Sequence, residues 1–195
     1  MKVANGAMEY ITSTPIEEFE AKLQLPPSMK KVASYDGKKF DVGLITITSV
    51  GDVIISGQEN NNGQRGNINL FHFDSQGKLK AQYGYRLEET SKEATSQPTI
   101  HVEFENADHK SLTWIIYEQK GVEESKLLLY PRVAKIDLAS AKISDFQQYG
   151  LGKGSAYYVD NDRPIILIDG DKKAVFFGAD KKDKELWFSR VKLVD

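Results

Sequence analysis

Residues Asp41 to Tyr85 read DVGLITITSVGDVIISGQENNNGQRGNINLFHFDSQGKLKAQYGY. Gly43 to Thr48 is rich in β-branched residues and alternates. Gly51-Asp52 is a turn signal, Val53 to Ser56 is a short apolar run, and Asn60 to Gly66 reads as a loop rich in Asn and Gly. Asn67 to Phe73 alternates strongly. Asp74-Ser75-Gln76-Gly77 then turns the chain into Lys78 to Tyr83, with Gly77 free to take the positive φ of a tight hairpin. Runs of about five to seven residues, separated by turn chemistry, predict a meander of four antiparallel strands.

The same order recurs downstream. Ile100–Phe104, Leu112–Tyr117, Leu127–Ile136 and Ile143–Tyr149 supply four strands of a second copy. A third begins at Pro164–Ile168, turns at Asp169-Gly170, continues through Ala174–Gly178 and ends with Leu186–Leu193. Local details repeat as well. Tyr83-Gly84 and Tyr149-Gly150 both end a fourth strand, and Val53–Gly57 resembles Ala174–Gly178. The chain therefore reads as one all-β domain over 1–195, with copies at about 41–85, 98–149 and 163–195.

The N-terminal region is ambiguous. Thr14-Pro15-Ile16-Glu17 resembles a helix start, with Ile16, Phe19 and Leu23 on one face. Glu18 to Leu25, however, alternates without a break, as a half-buried strand does, and this favours a strand. Residues 8–25 would then provide the fourth strand that the third copy lacks.

A four-stranded meander of this kind, with a first strand completing the last unit, resembles a β-propeller blade array. The resemblance is architectural and covers nearly all of the chain beyond Asp41. No WD dipeptide or kelch double glycine accompanies it. It implies a propeller or partial propeller, with a β-sandwich or barrel as the alternative. Closed propellers need about four to eight blades. Three copies therefore imply a hidden fourth blade before Tyr35, a fragment of a larger ring, or an open stack whose strand edges would be available for self-association.

Composition narrows the function classes. Lys and Arg number 26 against 28 Asp and Glu, for a net charge of −2, which is not the basic footprint of a nucleic-acid binder. The apolar runs are too short to span a bilayer as helices. There is no cysteine, so disulfides, thiolate metal sites and Cys nucleophiles are excluded. A cysteine-free chain fits an extracellular or periplasmic protein slightly better, and also many cytosolic ones; residues 1–6 lack the apolar region of a signal peptide.

No catalytic or cofactor motif stands out. Gly150-Leu151-Gly152-Lys153-Gly154-Ser155 departs from both glycine-rich phosphate fingerprints and precedes a strand-like stretch, so it reads as a loop. Asp160, Asp162, Asp169 and Asp171 are weak Ca²⁺ candidates in ordinary turn sequences. The three histidines, His72, His101 and His109, form no metal-spaced pair and read as structural or surface groups. Among the acids, Glu103, Glu105, Glu118 and Asp137 lie on or near predicted strands. A Ser–His–acid group would have to assemble in space.

Tyr85, Tyr157, Tyr158 and Arg163 lie near strand ends, where propellers tend to display ligands. The leading expectation is a non-enzymatic binding or scaffold domain for a protein or glycan, without a cofactor. The alternatives are a carbohydrate-active hydrolase or lyase on a propeller scaffold and a structural segment of a larger repeat protein. A hydrolase requires converging acids with raised pKa values in a concave site, whereas a binder requires aromatics and amides there.

Overall fold

The computed structural model describes residues 2–4, 7–87, 98–123, 126–149, 157–159, 166–168, 173–180 and 182–193. The fold is all-β and antiparallel in its main pairings. A short hairpin, β1 (Lys2–Ala4) and β2 (Ala7–Tyr10), precedes the single helix of the described residues, α1 (Ile16–Ala21). Then come β3 (Leu23–Gln24), β4 (Phe40–Ile47), β5 (Val53–Asn61), β6 (Gln64–Phe73) and β7 (Leu79–Tyr85). These five strands form the first sheet, in the order β3-β7-β6-β5-β4.

The meander expected over Asp41 to Tyr85 is present, with one change in its middle. Asn60 to Gly66 is not an open loop. β5 and β6 extend into it and join through Asn62-Gly63, with φ values of 51° and 87°. Positive φ at both central residues is the type I′ geometry that matches strand twist, and Asn-Gly is its preferred pair.

The second sheet runs β11-β10-β9-β8, from β8 (His101–Glu105), β9 (Ser111–Glu123), β10 (Lys126–Asp137) and β11 (Gln147–Gln148). Its fourth strand is shorter than Ile143–Tyr149 suggested. Ile143 makes only an isolated bridge to Ile136, and ordered pairing resumes at Gln147. In the third sheet β14 (Lys173–Asp180) is central. β15 (Leu186–Lys192) pairs along one edge, while β12 (Tyr157–Val159) and β13 (Ile166–Ile168) share the other.

The sheets stack through two apolar layers. Ile54, Ile68, Leu70 and Tyr83 from the first sheet meet Leu112, Trp114, Ile116 and Ile136 from the second. On the reverse face of the second sheet, Ile115, Tyr117 and Val133 meet Ala174 and Phe176 of the third. Each such side chain contributes about 1.5–3 kcal/mol by leaving water. Alternation thus serves opposite faces of β9: Leu112, Trp114 and Ile116 point one way, Ile115 and Tyr117 the other.

The N-terminal strand expectation is overturned. Residues 16–21 are helical, and only Leu23-Gln24 is extended. Phe19 explains the outcome: from the helix it packs edge-on against Tyr35 and Phe71, at centroid distances of 5.4 and 5.0 Å, and covers the outer face of the first sheet. β3 then pairs in parallel with β7, so this segment joins the first sheet and does not complete the third. The described strands close no barrel. No helix among the described residues is long and apolar enough to cross a membrane.

Candidate functional site

Where the first and second sheets adjoin, a cleft of about 240 Å³ opens. One wall is the segment carrying Ser28, Met29 and Val32. Gly84 lets this segment approach: a Cβ there would lie 1.9 Å from the carbonyl oxygen of Ala33. The wall is tied to the second sheet by Asp145, whose Oδ1 accepts from the Ser28 N–H at 2.7 Å and from its hydroxyl at 2.6 Å.

The floor is polar. Arg132 on β10 donates from Nε and lies with Nη2 also against Glu118 Oε2 on β9, both at 2.8 Å. Tyr85 at the end of β7 lies beside both members of this pair. Burial, reinforced by the Glu118 charge, pushes the Tyr85 phenol well up, so it stays neutral. Burial disfavours the Arg132 charge, yet the hydrogen bond and charge of Glu118, together with Tyr85, outweigh this and hold its pKa up. Phe146 completes the lining, packed against Tyr85 and Trp114 at 5.0 and 5.7 Å. Arg86 lies exposed at the rim.

A second polar group is sealed between β4, β5 and β8. Ser56 Oγ donates to Glu103 Oε2 at 2.6 Å, and His101 Nδ1 lies 3.3 Å from the same hydroxyl. Thr46 lies nearby and favours the ionised form of Glu103. His101 Nε2 faces the space that Gly43 leaves by lacking a Cβ. Burial pushes the Glu103 carboxyl up to about 7 and the His101 imidazole down to about 4. Among the described residues Glu103 Oε1 has no hydrogen-bond partner.

The three residue types of a nucleophilic triad are present, but their arrangement is different. The serine hydroxyl donates to the carboxylate instead of the imidazole, and Ser56 has no solvent-accessible surface. A substrate carbonyl cannot reach it.

The remaining candidates disperse. His72 is buried, and its Nε2 lies 2.8 Å from Asp52 Oδ2, which also accepts from Lys80 at 2.9 Å. Burial lowers the His72 pKa more than Asp52 raises it, so the neutral ring donates through Nε2. Glu105 accepts from the Ser49 backbone and hydroxyl and contacts His109; Asp137 accepts from the backbone and hydroxyl of Ser140. Glu118 alone of the four acids lines the cleft.

Of the expected ligand residues, Tyr85 lines the cleft. Tyr157 and Tyr158 lie on β12, paired with Asp180 and Ala179. Arg163, Asp160, Asp162, Asp169, Asp171 and the glycine-rich 150–155 stretch lie outside the described residues. Among the described residues no group of three His, Cys, Asp or Glu could hold a metal ion. Sequence reasoning missed Arg132, Arg86, Phe146 and the Ser28–Val32 wall. The available signal was a half-apolar loop, Pro26-Pro27-Ser28-Met29, ahead of the first meander.

No protein-family model matches the chain, and no curated protein or solved structure matches it significantly.

Proposed function

We propose that the chain is a non-enzymatic binding domain and that the cleft beside Tyr85 seats one residue of a glycan or of a protein segment. The observation that carries the reading is the composition of that cleft. It combines an ion pair and a phenol at its floor with Met29, Val32 and Phe146 on its walls. Ligand sites combine apolar walls with a few fixed polar groups in this way. The volume, about 240 Å³, falls below the roughly 300–1,000 Å³ usual for drug-sized ligands, which suits a single residue of a larger chain.

The hydrolase alternative asks for acids converging in a concave site. Among the described residues, the one acid of the cleft is engaged by Arg132, and the carboxyl with the raised pKa, Glu103, is sealed elsewhere. A scaffold role draws separate support from the exposed apolar residues Ile45 and Ile47 on β4 and Leu186 and Phe188 on β15. Blades of a propeller also pack face to face, so the stacked sheets agree with that architectural reading without a ring.

The test is an amide NMR titration with monosaccharides and short peptides. Binding predicts shift changes confined to residues 28–32, 84–86, 118, 132 and 146, lost in Phe146→Ala. Saturating ligand with no change at these positions refutes the cleft.

A further inference from the structure

The charge and polarity of the cleft point to a narrower ligand class, and this step rests on the binding reading above. We propose that the cleft selects an acidic sugar, a uronic-acid residue, over neutral sugars and over acidic peptides.

The floor decides against a peptide side chain. Glu118 and Arg132 form a largely buried pair, with side-chain exposures of 4% and 22%, and Tyr85 lies beside both. Covering such a pair with methylene groups removes its remaining hydration and returns no hydrogen bonds. A sugar edge carries hydroxyls that both donate and accept, so it replaces the lost water on Arg132, Glu118 and Tyr85.

The walls favour a ring. Phe146 is half-buried by Tyr85 and Trp114, and its remaining surface, with Val32 and Met29, offers an apolar plane to the C–H face of a pyranose.

The rim decides the charge. Among the described residues of the lining, Arg86 and Arg132 outnumber Glu118. The wall segment adds exposed Lys30 and Lys31, while Asp145 beside it, held ionised by the Ser28 hydrogen bonds, contributes one negative charge. Among the described residues, the positive charges around the cleft, Arg86, Arg132, Lys30 and Lys31, therefore outnumber the negative ones, Glu118 and Asp145, on a chain whose net charge is −2. A carboxylate on the solvent side of the sugar meets the Arg86 guanidinium, whose forked donors match it.

The experiment titrates the full chain, by amide NMR at low and at 0.5 M salt, with three pairs that differ at C6: glucuronic acid and glucose, galacturonic acid and galactose, mannuronic acid and mannose. The tripeptide Ala-Glu-Ala is the fourth probe. At least one acid is expected to bind tenfold or more tightly than its neutral partner at low salt, and to lose most of that preference at high salt. Arg86→Ala, a change at an exposed position, should bring the acid-to-neutral ratio close to one while the spectrum keeps its dispersion.

Equal binding within every pair overturns the charge selection and leaves the binding reading standing. Binding of the tripeptide alone overturns the sugar class. Shifts at none of the cleft amides with any probe overturn both readings.

Discussion

Folding moves a proton from the imidazole of His101 to the carboxyl of Glu103, and this has a measurable consequence. At pH 5.5 the unfolded chain carries the proton on His101, with Glu103 ionised. The folded chain holds a neutral His101 and a protonated Glu103, because burial moves the two groups to about 4 and about 7. The number of bound protons is the same, so this pair contributes almost no pH dependence to stability in the parent.

Each single substitution unmasks the other group. Glu103's folded pKa is raised, so its contribution is full below pH 4.5 and is lost as pH rises to about 7. At 1.36 kcal/mol per pH unit this is about 3 kcal/mol. His101's folded pKa is lowered, so its contribution is full above pH 6.5 and is lost as pH falls to about 4, again by about 3 kcal/mol.

Urea unfolding followed by Trp fluorescence at pH 4.5, 5.5, 6.5 and 7.5 measures both slopes. Relative to the parent, Glu103→Gln should gain stability as pH rises from 4.5 to 6.5, and His101→Gln should lose it up to pH 7. Asp52 and His72 act equally in parent and variants, so they cancel in the differences. Profiles parallel to the parent for both variants refute the buried-pair account.

Gly84→Ala should cost about 3 kcal/mol or more, since the new Cβ would meet the Ala33 carbonyl at 1.9 Å and displace the wall bearing Val32; urea midpoints and loss of cleft shifts measure it. Asp52→Asn removes the charge that accepts from Lys80 and His72 and should cost about 1–3 kcal/mol near neutral pH. Hydrogen bonds from Lys80 and His72 hold Asp52 below its usual range despite burial, so its contribution is full above pH 3.8. The cost should accordingly shrink as pH falls below that value, measured by the same unfolding method carried down to about pH 2.5. Phe188→Glu, at a side chain 77% exposed, should change stability by no more than about 0.5 kcal/mol. If β15 mediates self-association, sedimentation at high concentration should show less of it in this variant.

The sequence by itself determined the strands of the first meander, because alternation and turn residues act locally. Asn67 to Phe73 could bury one face only as a strand, and Gly77 could close the turn that follows, where its φ is 78°. The absence of cysteine likewise settled which chemistries were open. Residues 16–25 show the limit of local reading. Both periods fitted them, and the choice fell to a contact with Phe71, some fifty positions away. Tyr85 was legible as a strand-end aromatic, but its partners were not, since Glu118 and Arg132 meet only through the register of β9 against β10. Ser56, His101 and Glu103 come together only when the second sheet packs on the first. Periodicity reports which face of a strand is buried; what lies opposite that face is fixed by sheet packing between segments distant in the chain.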